Sequence, residues 1–248
     1  METKNTEIDG IKITESKNTQ LFGTDALMLS AYVRKNPSAV AAELGAGSGA
    51  ISVILALRGA FKSIKAVEVQ EELYSICKAN VKENGLEDAV TPICADVRTL
   101  SPSELSGVSV IFANPPYMKT GGGKESPESS KQVARHEVFG GAREFVSFAG
   151  RVLKTGGKLY VVYRPDRLET LMKAFAESGF AVKRMTFVAA DRDHEPSSVL
   201  TEAIRGGKEQ LYVTPNLFLT DGEGNETEDA AYIYKNGVFP ERFFERQR

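Results

Sequence analysis

The segment Glu43-Leu44-Gly45-Ala46-Gly47-Ser48-Gly49 decides the fold class of this chain. It follows one apolar run and precedes another with helical spacing, so it predicts a turn from a strand into a helix. Glycines in such a turn let the backbone bend sharply and approach a ligand closely, and the helix that follows offers unpaired N–H groups. The spacing differs from the dinucleotide fingerprint, whose third glycine comes one residue later. No Lys-Ser or Lys-Thr pair follows, which excludes a P-loop.

Outward from this segment, short apolar runs alternate with segments of helical periodicity, as is typical of a parallel sheet with crossover helices. The predicted strands are residues 38–44, 64–69, 90–94, 108–113 and 158–163, and the predicted helices are residues 50–58, 71–84, 145–152 and 168–178. A short polar loop joins two further strands, 180–190 and 199–205, which indicates an antiparallel hairpin at one edge. The predicted fold class is α/β: a doubly wound, Rossmann-like sheet of about seven strands with an antiparallel edge hairpin.

Two segments flank this alternation. Residues 1–37 are predicted to form an extension that packs on the cofactor site, with Thr24-Asp25 capping a helix over the apolar run 26–33. Residues 38–248 form the predicted main domain, which ends in a short β-rich extension. In that extension, strands at 210–213 and 231–234 are expected on either side of a glycine-rich turn.

Composition limits the function classes. The 248 residues, 42% hydrophobic and 26% charged, suit one soluble domain, and no apolar run approaches the ~18 residues of a membrane span. We therefore expect a cytoplasmic protein without membrane contact, and a monomer. Cys77 and Cys94 are expected to be reduced thiols, and only His136 and His194 accompany them, so no metal site is expected. The net charge of −2 argues against coating nucleic acid by bulk electrostatics.

Two acidic residues follow the next two predicted strands. Glu68 ends the second strand, where a carboxylate can accept hydrogen bonds from ribose hydroxyls. Asp96 follows the third strand, where it can accept a hydrogen bond from an adenine amino group. Because ligands of open α/β sheets bind at the carboxyl ends of the strands, these acids and the glycine segment together predict a nucleoside site.

Asn114-Pro115-Pro116-Tyr117 follows the fourth strand at the same edge. The prolines fix the backbone and remove two donors, so the carbonyl groups of the turn are held rigidly. An amino group on an aromatic base is a poor nucleophile because its lone pair is delocalised. If the Asn114 side-chain oxygen and the Pro115 carbonyl accept hydrogen bonds from the two N–H groups of this amino group, they favour the tetrahedral nitrogen that attacks a methyl group. Tyr117 offers a ring for stacking a flipped-out base.

The segment after this turn is predicted to face a substrate. Residues 118–133 are rich in glycine, serine and lysine without apolar periodicity, so the loop is expected to close over a substrate, with Lys119 near it. Arg135-His136-Glu137 comes next. The proposed chemistry needs no strong base, so we expect His136 and Glu137 to contact substrate or order the loop, while proton transfer by them stays open.

The assembled pattern resembles the bacterial tRNA(Val) adenine-N6 methyltransferases, which modify the adenosine next to the anticodon, and the resemblance spans most of the chain. Amino-directed methyltransferases in general share the glycine segment and the Asn-Pro-Pro-Tyr turn. Three further segments are typical of this branch: Phe22-Gly23-Thr24-Asp25-Ala26, Ala134-Arg135-His136-Glu137 and Glu202-Ala203-Ile204-Arg205-Gly206-Gly207-Lys208. One departure is Ala46-Gly47-Ser48, where many relatives carry threonines.

The resemblance implies an S-adenosylmethionine (SAM)-dependent methyltransferase that acts on tRNA. It implies that residues 22–26 lie over the bound SAM, that Glu68 holds its ribose and that Asp96 holds its adenine. The expected cofactor contacts are Phe22, Thr24, Asp25, Glu43, Gly45, Ala46, Gly47, Gly49, Glu68, Val69, Asp96, Val97 and Asn114. The expected substrate contacts are Tyr117, Lys119, Arg135, His136 and Lys208.

Three alternatives remain at this point. A glutamine-N5 methyltransferase of release factors uses the same Asn-Pro-Pro-Tyr logic, but such proteins usually carry a longer amino-terminal helical domain than residues 1–37. An rRNA guanine-N2 methyltransferase is close in chemistry but commonly has Phe in place of Tyr117. The third alternative is a non-catalytic RNA-binding protein that retains the fold, and the presence of Asn114 and Asp96 argues against it.

Overall fold

The computed structural model describes residues 3–8, 11–16, 23–116 and 141–244. The strands are Thr3–Ile8 (β1), Ile11–Ser16 (β2), Asn36–Leu44 (β3), Phe61–Glu68 (β4), Val90–Cys94 (β5), Val108–Ala113 (β6), Lys158–Tyr163 (β7), Phe180–Ala189 (β8), Ser198–Arg205 (β9), Tyr212–Val213 (β10) and Leu217–Phe218 (β11). The helices are Thr24–Tyr32 (α1), Ala50–Leu57 (α2), Glu71–Glu83 (α3), Ala142–Val152 (α4), Leu168–Glu177 (α5) and Glu228–Asn236 (α6).

One sheet positions the candidate site. Its order is β10, β8, β9, β7, β6, β3, β4, β5, and β11 also pairs with β8. The five strands from β7 to β5 are parallel. The chain first builds outward from β3 through β4 to β5 and then returns to β6 on the other side of β3. Open α/β sheets bind ligands at such a reversal, outside the carboxyl ends of the strands. We call the edge formed by the carboxyl ends of these five strands the site edge.

The core occupies both faces of the sheet because the central strands are buried on both sides. Successive residues of β6 alternate between two hydrophobic clusters, with Ile111 in one and Phe112 in the other. Ala41 and Ala42 of β3 alternate in the same way. Side chains that alternate along a strand point to opposite faces, so this pattern is that of a sheet covered by helices on both sides. The predicted doubly wound fold is confirmed.

The predicted hairpin is present, but its place in the sheet differs from the prediction. β8 and β9 are antiparallel, and β9 lies between β7 and β8. Within the described residues the sheet has nine strands, and β8 is not a free edge because β10 and β11 pair with it. These two strands have two residues each, which is too short for a recognisable alternation of apolar and polar residues.

The carboxyl-terminal extension is less β-rich than predicted. The expected strand at 231–234 is wrong, because these residues belong to α6. The Thr227 side chain caps this helix by accepting a hydrogen bond from the Ala230 N–H, and Gly237 ends it in the left-handed conformation. A capping threonine, two acids in the first turn and a terminal glycine favour a helix, and they outweigh the strand propensity of the tyrosines and isoleucine.

The amino-terminal region contains a hairpin and a helix. β1 and β2 pair with each other, and β2 lies along α3 through hydrogen bonds to Asn80 and Asn84. α1 packs in the core, with Leu29 and Tyr32 fully buried. The predicted capping role of Thr24-Asp25 is wrong: Gly23 is the N-cap residue, and no side chain caps the helix.

Candidate active site

Three glycines shape the turn between β3 and α2. Gly45, Gly47 and Gly49 have φ angles of +71°, +57° and +78°, a region that residues with a β-carbon rarely adopt. The backbone N–H groups of Gly45 and Ala46 both donate to the Val67 carbonyl at 2.9 Å, which holds the turn against the end of β4. The predicted strand–glycine loop–helix arrangement is therefore present. We call residues 45–49 the glycine loop.

Packing divides the three glycines into two kinds. A β-carbon at Gly45 would lie 2.8 Å from Cε1 of Phe145, and one at Gly49 would overlap Sγ of Cys77. At Gly47 a β-carbon would meet nothing within 4 Å. Gly45 and Gly49 are thus required by the protein's own packing, whereas the space at Gly47 lies where a ligand could approach the backbone.

Glu68 connects the end of β4 to the glycine loop. Its side chain is buried, and it accepts hydrogen bonds from the N–H groups of Gly47 at 2.8 Å and Gln70 at 2.9 Å. A carboxylate has about four acceptor positions, so the two that remain can bind two hydroxyl groups. This geometry suits the predicted contact with a ribose. Val69 follows Glu68 directly at the same edge.

Glu43 points into the interior. Ser52 donates to its Oε2 through the backbone N–H at 3.0 Å and through Oγ at 2.5 Å. Burial raises the pKa of the Glu43 carboxyl to about 8, and the neighbouring Glu68 adds to this rise. Ser52 was missed by the sequence analysis. The available signal was one hydroxyl in the otherwise apolar helix α2.

Asp96 lies after β5, where Arg98 engages it. The Arg98 backbone N–H donates to Oδ1 at 2.8 Å, and its guanidinium contacts both carboxylate oxygens, with Nη2 at 2.5 Å from Oδ2. These side-chain hydrogen bonds hold the pKa of the Asp96 carboxyl below its usual value. Arg98 was not predicted, and a ligand amino group would have to share Asp96 with it. The Val97 side chain packs in the core, which leaves its backbone for contact with a ligand.

The Asn114-Pro115-Pro116 turn lies beside the glycine loop. Ala113, the last residue of β6, pairs with Leu44, the last residue of β3. Asn114 and Gly45 therefore follow neighbouring positions on strands about 4.8 Å apart. Asp96 follows β5, three strands away from β6, a separation of about 14 Å that an extended nucleoside with an amino-acid tail can bridge.

Other predicted residues are placed as follows. Thr24 and Asp25 begin α1, which ends at Tyr32 in contact with Tyr160 of β7. The predicted contacts Phe22, Tyr117, Lys119, Arg135 and His136 lie outside the described residues.

Lys208 is not brought together with the other predicted residues. β9 runs antiparallel to β7, and Val199 at its start pairs with Tyr163 at the end of β7. The chain after Arg205 therefore lies at the edge opposite the site edge, where Lys208 is exposed. Its expected contact with RNA stays a prediction.

Asn80 is a third residue that was not predicted from the sequence. It is fully buried on α3, and its side chain hydrogen-bonds both β2 and the carbonyl of Ser48 in the glycine loop. The available signal was an amide on the apolar stripe that Leu73, Ile76 and Cys77 form on this helix.

In the described part of the chain, no group of three or more histidine, cysteine, aspartate or glutamate residues could hold a metal ion. Among the helices of these same residues, none has the length and hydropathy to cross a membrane.

Comparisons with known proteins agree with this fold. A family model described as "Methyltransferase small domain" matches residues 21–188. The tRNA1(Val) (adenine(37)-N6)-methyltransferase of Porphyromonas gingivalis is 25% identical over 187 residues, which cover 73% of this chain and 72% of the relative. A crystal structure of a predicted O-methyltransferase from Agrobacterium tumefaciens has a TM-score of 0.72 at 19% identity, covering 88% of this chain and 98% of that chain. The TYW2 protein of M. jannaschii, crystallised with AdoMet, has a TM-score of 0.55 at 15% identity. The match covers 82% of this chain and 84% of that chain.

Proposed function

The chain belongs to the methyltransferase small domain family, and we propose that it uses SAM to methylate the N6 amino group of an adenine in tRNA. The observation that carries the proposal is the position of Asn114-Pro115-Pro116, which follows β6 directly and lies beside the glycine loop. Relatives from several bacteria that bear the name tRNA1(Val) (adenine(37)-N6)-methyltransferase support tRNA as the substrate.

The residues at the site edge fit SAM as cofactor. The open space at Gly47 would admit a ligand close to the backbone. Glu68 would use its two remaining acceptor positions for ribose hydroxyls, and Asp96 would accept a hydrogen bond from an adenine amino group. SAM supplies a methyl group made electrophilic by its positively charged sulfur. The remaining proposed contacts are Phe22, Thr24, Asp25, Gly45, Ala46, Gly49, Val69, Val97 and Asn114, with Glu43 beneath the loop.

Asn114 and Pro115 would orient the substrate nitrogen. When the Asn114 side-chain oxygen and the Pro115 carbonyl accept hydrogen bonds from the two N–H groups, the lone pair of the nitrogen is less delocalised into the ring. It is then directed at the methyl group. Pro115 and Pro116 fix the backbone of this turn, so the acceptors need no reorganisation during the reaction. Tyr117 would stack on the base. The proton leaves after methyl transfer, so no strong base is required.

The finer parts of the proposal concern the substrate and the organisation of the chain. We propose a valine tRNA, modified next to the anticodon, with Lys119, Arg135 and His136 near the RNA. We also propose that residues 1–37 pack on the cofactor site and that the protein acts as a monomer in the cytoplasm.

Nucleoside mass spectrometry tests the base and the atom together. Incubation of the purified chain with labelled SAM and bulk tRNA should produce labelled N6-methyladenosine. Asn114→Ala should still bind SAM but lose about 10²–10³-fold in turnover, whereas Asn236→Ala, at an exposed amide far along the chain in α6, should retain it. Label in N2-methylguanosine, or only in added release factor, would overturn the proposed substrate. Full turnover by Asn114→Ala would overturn the mechanism.

A further inference from the structure

Asn80 connects three parts of the molecule. It lies in the last turn of α3 with no exposed surface. Its Oδ1 accepts a hydrogen bond from the Thr14 N–H of β2 at 2.9 Å. Its Nδ2 donates to the Thr14 carbonyl at 2.8 Å and to the Ser48 carbonyl at 2.9 Å. Both donors and the acceptor of the amide are thus used on backbone groups of the hairpin and the glycine loop.

The hydrogen bond from Asn80 to the Ser48 carbonyl holds the part of the glycine loop that adjoins the open space at Gly47. Ser48 lies between Gly47, which leaves open space for a ligand, and Gly49, which packs on Cys77. The same loop is held on its other side by the hydrogen bond from the Gly47 N–H to Glu68. Asn80 and Glu68 therefore hold two peptide groups of one short turn, those between residues 48 and 49 and between residues 46 and 47. If either is lost, glycine-rich backbone gains conformational freedom that a ligand would have to remove on binding.

Asn84, the residue that caps the carboxyl end of α3, provides a natural comparison. Its Oδ1 accepts from the Lys12 N–H at 3.3 Å, and its Nδ2 donates to the Lys12 carbonyl at 2.9 Å. Asn84 thus binds the same strand in the same way as Asn80. Among the residues that the structure describes, its side chain binds Lys12 and the Asn80 carbonyl and makes no hydrogen bond to the glycine loop. Differences between variants at these two positions isolate the contribution of the Ser48 contact.

We infer that Asn80 is a positioning residue for the cofactor: it holds the glycine loop in its ligand-binding conformation and makes that conformation depend on the amino-terminal hairpin. The inference rests on the proposed function, since it assumes that SAM binds at this loop. Asn80 does not touch the ligand in this arrangement. It acts through the Ser48 carbonyl on one side and through Thr14 on the other.

Calorimetric titration with SAM tests the inference. Asn80→Ala should weaken SAM binding by about tenfold, the loss expected for a buried hydrogen bond that fixes the site. Asn84→Ala should change the dissociation constant less than twofold, although both variants lower the thermal unfolding midpoint. In steady-state kinetics, Asn80→Ala should raise KM for SAM and leave KM for tRNA unchanged. A merely structural role would not separate the two KM values.

A second pair of variants guards against misfolding of Asn80→Ala. Thr14→Pro removes the N–H that orients Asn80, and Lys12→Pro removes the corresponding N–H at Asn84. Only Thr14→Pro should weaken SAM binding. Equal effects within either pair, or wild-type affinity in the Asn80 and Thr14 variants, would overturn the inference and leave the proposed function intact. Failure of the wild-type chain to bind SAM would overturn both.

Discussion

At the scale of single residues, the site edge is held together by polar groups that bind one another. Glu43 is bound by Ser52, Glu68 by the N–H groups of Gly47 and Gln70, and Asp96 by Arg98. Glu68 and Asp96 were predicted from their positions at the ends of strands and Glu43 from the family resemblance, while the partners Ser52 and Arg98 were not singled out. Acids at a ligand site need such partners because a buried carboxylate without hydrogen bonds is costly.

The buried Glu43 carboxyl gives stability a defined pH dependence. Its pKa is about 8 in the folded chain and close to the ordinary 4.5 when unfolded. Between these values the folded state holds a proton that the unfolded state has lost. Stability therefore falls as pH rises from about 5 to about 8, by at most about 1.4 kcal/mol per pH unit, and is constant in this respect above pH 8.

Urea unfolding at several pH values checks this prediction. Glu43→Gln replaces the protonated carboxyl by a neutral amide and should show a flatter profile over the same range. The wild-type chain should lose stability relative to this variant as the pH increases. Parallel profiles of the two proteins from pH 5 to pH 8 would show that Glu43 titrates normally.

At the scale of elements, arginine side chains donate hydrogen bonds to carbonyl groups at the carboxyl ends of helices. Arg58 at the end of α2 donates to the Gly237 carbonyl at 2.8 Å, where α6 ends. Arg205 at the end of β9 donates to the carbonyls of Gly150 in α4 and Gly179 after α5. Cations favour the carboxyl ends of helices, where carbonyl groups lack partners. The segment from Glu202 to Lys208 thus includes a structural junction at the edge away from the site.

Replacement of Gly179 tests this junction. Gly179 has a φ angle of +70°, and a β-carbon there would overlap the Arg205 guanidinium. Gly85 after α3 has a φ angle of +65° but open space around it. We expect Gly85→Ala to cost about 1 kcal/mol of backbone strain, and Gly179→Ala to cost about 1–2 kcal/mol more because Arg205 must leave its carbonyls. Denaturant unfolding measures both, and equal losses would contradict the capping role.

At the scale of the whole molecule, Arg184 joins segments that are far apart in the chain. This buried residue of β8 binds Glu202 of β9 at 3.0 Å, and its guanidinium donates to the carbonyl of Tyr32 at the end of α1. It also lies 3.7 Å from the centroid of the Tyr32 ring and 4.2 Å from that of Phe244. The amino-terminal helix, the sheet and the carboxyl-terminal segment therefore meet at one buried ion pair.

Removing one partner of this ion pair should lower the free energy of unfolding more than replacing both partners by apolar residues. Arg184→Met leaves the buried Glu202 with the partly exposed Lys158 as its one remaining ion-pair partner among the described residues, so we expect a loss of about 3–5 kcal/mol. Arg184→Met with Glu202→Leu should lose less than the single variant, because no uncompensated charge remains. As a control, Arg143→Met, which breaks the exposed pair with Glu177, should change stability little. A double variant as unstable as the sum of its single variants would contradict this account in urea unfolding.

The order of strands and helices between residues 38 and 205 could be predicted because its signals are local. Strands are predicted by apolar runs, and turns by glycines, within a few residues of sequence. The Asn114-Pro115-Pro116 segment predicts a rigid turn in the same local way. The same local rules were misapplied at 231–234, where strand-forming side chains were preferred to the capping signals around them. The two-residue strands β10 and β11 carry no local pattern at all.

The sequence by itself determined the fold class, the glycine loop, and the carboxylates and prolines at the carboxyl ends of successive strands. Only the tertiary structure decided that β9 lies between β7 and β8, that Lys208 is at the opposite edge, that Asn80 binds the glycine loop and that Arg98 binds Asp96. The physical reason is the distance along the chain over which each kind of interaction acts. Periodicity and turn chemistry act between neighbours in the chain, whereas strand order and the partners of buried polar groups depend on which distant segments the folded core brings together.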